Sequence, residues 1–272
     1  MSLAAKLFLS PLLALQALHT RSRLPRLPEA EGERQGRVGN GPLLRLLIAG
    51  DSSAAGVGVV HQRDALAWQM VARLADVCQA TVDWQLLAQS GLTTAQTLQL
   101  LQRAPRPNVD LAVIVTGVND VVDQIPSHHA VSAREALANW LRNGLGVHHV
   151  LFMPLPPVHD FPGLPQPLRW VAGADARRHD RALALWAATR NDVSRLDVDL
   201  QINRGVMASD GFHPGEPVYR QIAAAAARHI AATVWPQIHP ETTHDPEPAG
   251  QDPLHHRRQP RHRPGDRAAR SG

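Results

Sequence analysis

The chain reads as an α/β protein with a doubly wound parallel sheet, and three features of the sequence predict that class. Apolar runs alternate with segments of helical periodicity from about residue 43 to residue 234. The run 111–116, LAVIVT, is continuously apolar and rich in β-branched residues, as a central strand covered on both faces must be. Residues able to do chemistry follow directly after the apolar runs, where a parallel sheet collects its loops and helix N-termini.

Length and composition set the bounds. A chain of 272 residues has room for one domain with a sizeable core, plus tails. Apolar content of 44% against 19% charged residues fits a globular protein, and the scarcity of aromatics leaves Ala and Leu to fill a helix-rich core. The formal charge of +4 is unevenly spread: residues 1–42 hold six basic side chains against three acidic, residues 236–272 hold six against five, and the middle is balanced. With no basic stripe interleaved with aromatics in the core region, nucleic acid is not an expected partner. Cys78 is the only cysteine, so no internal disulfide and no cysteine-based metal site can form. It sits in an Ala/Leu/Val-rich helical pattern, as a small buried hydrophobe does.

Taken in order, residues 1–42 read as an N-terminal apolar targeting or anchoring segment followed by a linker. The apolar stretch 7–18 is too short for a comfortable span and lacks a clear cleavage site before Arg21, Arg23 and Arg26. It fits an interfacial anchor, with peripheral membrane association through residues 1–23 and a membrane-associated or exported location. A disordered start and a cytoplasmic location stay open beside it. Residues 24–42, rich in Pro, Gly, Glu and Arg, read as the linker.

The catalytic domain is expected over residues 43–235. Residues 44–49 form the first strand, 64–77 a helix with Leu66, Met70, Val71 and Leu74 near one face, and 82–88 the second strand. A helix starting at Thr93 and Thr94 runs through Leu98 and Leu101 to the breakers Pro105 and Pro107. After strand 111–116 come a helix over 132–141 and a strand over 147–153. Six prolines in residues 154–167 preclude regular structure there and predict a long loop. A helix over 174–189, a short strand over 196–200 and an Ala-rich helix over 217–234 complete the domain. The His/Pro/Arg-rich tail, 236–272, reads as disordered and its histidines as solvated.

Four segments carry the chemistry: Gly50-Asp51-Ser52 after the first strand, Ser90-Gly91 after the second, Gly117-Val118-Asn119-Asp120 after the third, and Asp210-Gly211-Phe212-His213 near the end. A serine hydroxyl needs a base within hydrogen-bond reach before it can attack. His213 can be that base, and Asp210, three positions earlier, can hold its Nδ1 so that Nε2 faces Ser52. The backbone N–H groups of Ser52 and Gly91 and the Asn119 amide can donate to an oxyanion if their strands are neighbours. A helix starting after Ser52 would add its positive end, with Ser53 as its start. Asp51 and Asp120, whose charge would oppose an oxyanion, are expected to brace the two loops by hydrogen bonds.

These segments resemble the four signature blocks of the SGNH, or GDSL, hydrolase superfamily: GDSSAAG, QSGLTT, GVND and DGFH, in the family's order. The resemblance covers residues 43–234 and implies a three-layer α/β/α, flavodoxin-like fold with an esterase-type site. It implies Ser52 as nucleophile and first oxyanion donor, Gly91 and Asn119 as the other donors, His213 as base and Asp210 as its orienter. The alternative elbow G-x-S-x-G is absent, since position 54 is Ala. The mechanism needs no metal and no cofactor.

The expected function is hydrolysis of carboxylic esters through an acyl-enzyme, with a small-molecule or lipid-like ester as substrate. Carbohydrate O-deacetylation or acyl transfer would use the same site, and a membrane-tethered binding protein without catalysis is the alternative from another class. On the proline-rich loop, Phe161, Leu164, Leu168 and Trp170 are candidates for an apolar substrate wall, and His159 for a pocket-lining side chain. Packing as a cover over the core is the competing expectation for that loop.

Overall fold

The computed structural model describes residues 3–105 and 108–240. Residues 241–272, most of the tail read as disordered, lie outside the described residues. One sheet contains β1 (Gln35–Val38), β2 (Leu43–Gly50), β3 (Thr81–Ala88), β4 (Leu111–Val115), β5 (His149–Phe152) and β6 (Val193–Arg195), in the spatial order β1-β3-β2-β4-β5-β6. Neighbours pair in parallel except β1, which runs antiparallel to β3. With that edge strand set aside, the parallel strands renumbered in chain order follow the flavodoxin-like order 2-1-3-4-5. The topological switch lies between β2 and β4, and a crevice opens there at the strands' carboxyl ends.

The main helices are α1 (Leu3–Arg23), α2 (Leu66–Val77), α3 (Thr94–Arg103), α4 (Val118–Val122), α5 (Ser127–Leu145), α6 (Leu168–Ala187), α7 (Glu216–His229) and α8 (Trp235–Ile238). The two-residue period of the central strands sorts side chains between two cores. Leu44, Leu46 and Ile48 of β2 and Leu111 and Val113 of β4 pack with Leu66, Met70 and Leu74 of α2 and Tyr219 and Ala223 of α7. Leu47 and Ala49 of β2 and Ala112 and Ile114 of β4 point the other way, to Leu101 of α3, Leu137 and Leu141 of α5 and Leu183 of α6. Both faces are therefore covered, and each fully buried Leu or Ile contributes about 1.5–3 kcal/mol. This is the three-layer α/β/α arrangement.

Several elements differ from expectation, each for a physical reason. The sheet begins inside the segment read as a linker, with β1, whose side chains are mostly exposed and so carry no apolar alternation. The short final strand is β6 at 193–195 rather than 196–200; Leu196 instead enters the core beside Leu151 and Met153. No helix follows Ser52. Residues 52–58 form turns, in which Ala55 N–H donates to Asp51 O (2.9 Å) and Val57 N–H to Ser52 O (2.9 Å). The Asp51 carboxylate takes the Ser53 N–H (3.0 Å), closing an Asx turn where a helix start was expected. The closing helix passes through a π-turn at Ile230–Val234 into α8, which carries order past residue 235. Among the described residues no helix is long and apolar enough to cross a membrane.

Candidate active site

Ser52 lies one residue beyond Asp51, where β2 leaves the sheet against β4. A side chain at Gly50 would collide with the Val115 carbonyl oxygen, so glycine is what allows the chain to turn this close to its neighbour. From the far end of the domain, the turn 207–214 brings His213 to the same place. Its Nε2 lies 3.0 Å from Ser52 Oγ, and its Nδ1 lies 2.6 Å from Asp210 Oδ2. Asp210 Oδ1 accepts the backbone N–H groups of Phe212 and His213, both at 2.9 Å. Burial raises the Asp210 pKa, but the His213 side chain and the two backbone donors outweigh it and leave the group below the usual carboxylate range. A carboxylate at Nδ1 keeps the proton on that nitrogen, so Nε2 presents its lone pair to Ser52.

The two other blocks meet beside Ser52. Asn119 stands in the first turn of α4, and its Nδ2 donates to Leu92 O (3.0 Å) and, at a long 3.4 Å, to Asp51 Oδ2. This amide bridges the loop that carries Gly91 and the loop that carries Ser52. Among the described residues, no acceptor engages the backbone N–H of Ser52 or of Gly91. Gly91 has φ +85° with open space where a Cβ would stand, so glycine is required there by conformation alone.

The two flanking aspartates act as braces. Asp120 accepts the Thr94 N–H (2.9 Å) and the Thr94 hydroxyl (2.6 Å), and pairs at 3.5 Å with Arg134, tying α3, α4 and α5 together. Thr93 closes a capping box with Gln96 at the start of α3, which fixes the end of the glycine loop. Asp51 holds Ser53 and Asn119 as described. With so few donors, burial dominates and pushes its pKa up to about 7.

A cavity of about 70 Å³ opens at these residues. Its walls include Ser52, Asn119 and His213 with Pro156, Phe161, Met207 and Phe212. Of the three side chains expected to bind substrate, Phe161 alone lines it. Leu164 is buried in the core beneath the loop, because the Gly163 N–H bonds to Gly211 O (2.9 Å) and draws this stretch inward. His159 points to solvent and sits 3.5 Å from Asp160. Leu168 packs on the core and Trp170 is exposed. Two residues that sequence reasoning passed over matter here. Phe212 stacks edge-on against His213 (5.2 Å between centroids) and Phe161 (5.4 Å), and its place inside the DGFH block was the available signal. Tyr219 donates its hydroxyl to Val57 O (2.6 Å), anchoring the turn after Ser52 to α7, and a lone Tyr in an Ala-rich helix was the hint. Among the described residues, no group of three or more His, Cys, Asp or Glu side chains could hold a metal ion.

Comparison with known proteins places this arrangement. No curated protein matches the sequence. Among solved structures, the lipase Lip_vut3 from a goat rumen metagenome superposes with a TM-score of 0.55 at 18% identity, covering 70% of this chain and 98% of that one. A lipolytic protein of the G-D-S-L family from Veillonella parvula gives 0.51 at 18% identity over 68% and 97%. The M. smegmatis aryl esterase gives 0.51 at 20% identity over 70% and 100%. At these identities the likeness establishes the fold. The family model for GDSL-like lipase/acylhydrolases matches residues 48–221, which include all four blocks. The chain belongs to the GDSL-like lipase/acylhydrolase family.

Proposed function

We propose that the protein hydrolyses carboxylic esters of short acyl groups through an acyl-enzyme on Ser52. The observation that carries this is the continuous hydrogen-bonded line from Ser52 Oγ through His213 to Asp210. Ser52 Oγ attacks the ester carbonyl carbon as its proton passes to His213 Nε2, and the carbonyl π electrons move onto oxygen. The N–H groups of Ser52 and Gly91 receive that oxyanion. The Asn119 amide can join them: its 3.4 Å contact with Asp51 is longer than an ordinary N–H···O bond, while its bond to Leu92 O is of normal length. Collapse breaks the C–O bond, and the leaving alkoxide takes the proton from His213. Water then attacks the acyl-enzyme with His213 as base, releasing the acid and returning the proton to Ser52.

The cavity, about 70 Å³, is far below the roughly 300–1,000 Å³ of sites that enclose drug-sized ligands, and its walls are largely apolar. That supports a short acyl chain. It constrains the acyl part alone, so an acetylated carbohydrate or a non-water acceptor would use the same site, and product analysis separates these outcomes. Ser52→Ala is expected to lower kcat on short-chain aryl esters by about 10³-fold or more. Wild-type turnover by the purified variant would refute the proposal.

A further inference from the structure

Polar contacts of Gln16 hold helix α1 to the domain. Gln16 Nε2 donates to Gln166 O (2.7 Å), and Gln16 Oε1 accepts the Leu168 N–H (3.1 Å), one of the first-turn donors of α6 that no residue of that helix can satisfy. Thr20, one turn further along α1, is buried on the same side. At 100° per residue, fixing Gln16 and Thr20 inward turns Leu15 and Leu18 outward, and they are 65% and 69% exposed, whereas Leu9 and Leu13 share the inward stripe and are half-buried. A surface helix of a globular protein normally presents polar side chains on the face turned away from its domain, and here that face carries Leu15 and Leu18.

The charge around this helix selects what can cover it. Residues 1–28 contain Lys6, Arg21, Arg23 and Arg26 and no acidic side chain, and Arg23 and Arg26 are exposed where α1 ends. A second copy would bring the same cations to the contact with no acid from this segment to meet them. An anionic bilayer offers hydrocarbon to the leucines and negative headgroups to the arginines. We propose that α1 lies in the plane of an anionic membrane, leucines inward, and that the Gln16 clamp sets the proline-rich loop against that surface. The clamp holds one end of this loop at Gln166, while Pro156 and Phe161 line the cavity and Gly163 bonds to the turn bearing His213. The use of this docking, capture of esters resident in the membrane, rests on the hydrolase proposal above; the docking itself does not.

The experiment is co-sedimentation of the whole protein with phosphatidylcholine vesicles, with and without one-third phosphatidylglycerol. Wild type is expected to pellet with the anionic vesicles and at least tenfold more weakly with the zwitterionic ones or at high salt. Leu15→Glu with Leu18→Glu is expected to lose at least tenfold in binding at an unchanged thermal unfolding midpoint. Gln16→Ala is expected to pellet as wild type yet lose rate on a vesicle-borne ester relative to a soluble one. Absence of pelleting, equal pelleting on both vesicles, or unaltered binding by the double variant would overturn the proposal. So would self-association in sedimentation velocity that the double variant abolishes without any vesicle binding. Failure to hydrolyse esters would sink the hydrolase proposal and leave the pelleting result to decide the docking.

Discussion

Asp51 and Asp210 flank the same serine and are equally hidden from water, at 3% and 4% exposure, yet their acidities move in opposite directions. Asp210 receives three hydrogen bonds at 2.6–2.9 Å, two of them from backbone N–H groups fixed by its own turn, and is held below the usual carboxylate range. Asp51 receives one backbone N–H at 3.0 Å and one side-chain amide at 3.4 Å, and burial carries it up to about 7. Asp51 is the more deeply enclosed of the two and also has fewer and longer donors, and both differences favour its neutral form while Asp210 stays ionised. Asp210 remains an anion that can steady an imidazolium. Asp51 can shed its charge near neutral pH, which lessens the opposition between a carboxylate and the developing oxyanion.

The largest expected effect comes from breaking the better-supplied partner. In Asp210→Asn the side chain keeps its shape, but an amide nitrogen facing His213 Nδ1 would favour the tautomer with the proton on Nε2, which cannot accept from Ser52. A loss of kcat of about 10⁴-fold is expected, the size known for this substitution in a serine protease. Circular dichroism should show the fold retained. Activity within tenfold of wild type would mean that Asp210 does not set the tautomer.

The second test uses stability against pH. The folded-state pKa of Asp51 lies above its unfolded value of 3.8, so the native state holds an extra proton between the two. Its stabilising contribution is complete at low pH and is lost as pH rises through about 7. Between pH 5 and pH 8 this amounts to on the order of 3 kcal/mol. Asp210, with its lowered pKa, tilts the curve the other way: its contribution is present above the unfolded value and lost on acidification. Burial lowers the pKa of His149, His179 and His229, whose contributions rise with pH over part of the same range. The test is therefore the difference between two proteins: in urea unfolding from pH 5 to pH 8, wild type should lose about 3 kcal/mol relative to Asp51→Asn. Parallel pH dependence in the two proteins would remove Asp51 as its source.

The contrast also marks what a sequence can disclose. Ser52 and Asn119 were legible because polar residues follow apolar strands there, Asp210 and His213 because their spacing of three lets a carboxylate hold an imidazole, and β2 and β4 because both faces of each are apolar. Asp51 and Asp120 could be assigned as braces from the sign of their charge, but their different surroundings depend on distances set by packing between separate loops. The edge strand β1 was hidden because it buries little, and α4 because five residues are too few to show a helical period. The wall of the cavity was only partly legible. A run of prolines announces a loop, whereas the Gly163–Gly211 bond that turns Leu164 inward and leaves Phe161 on the cavity joins residues far apart in the chain.

The smallest expected effect concerns a residue that serves the Asp210 side twice. Phe212 gives its backbone N–H to Asp210 Oδ1, and its ring lies edge-on to both His213 and Phe161. Replacing Phe212 by Leu leaves the backbone bond in place and removes the two ring contacts, each worth about 0.5–1.5 kcal/mol. The carboxylate should keep its donors and the pH profile of kcat/KM its position, while the imidazole loses lateral support. A fall in kcat/KM of about two- to tenfold on a short-chain aryl ester is expected, with a slightly lower unfolding midpoint. If instead the acidic limb of the pH profile shifts, the ring and not the donor count helps to set the acidity of the Asp210–His213 pair. The difference between the two aspartates would then rest also on the aromatic packing that Asp51 lacks.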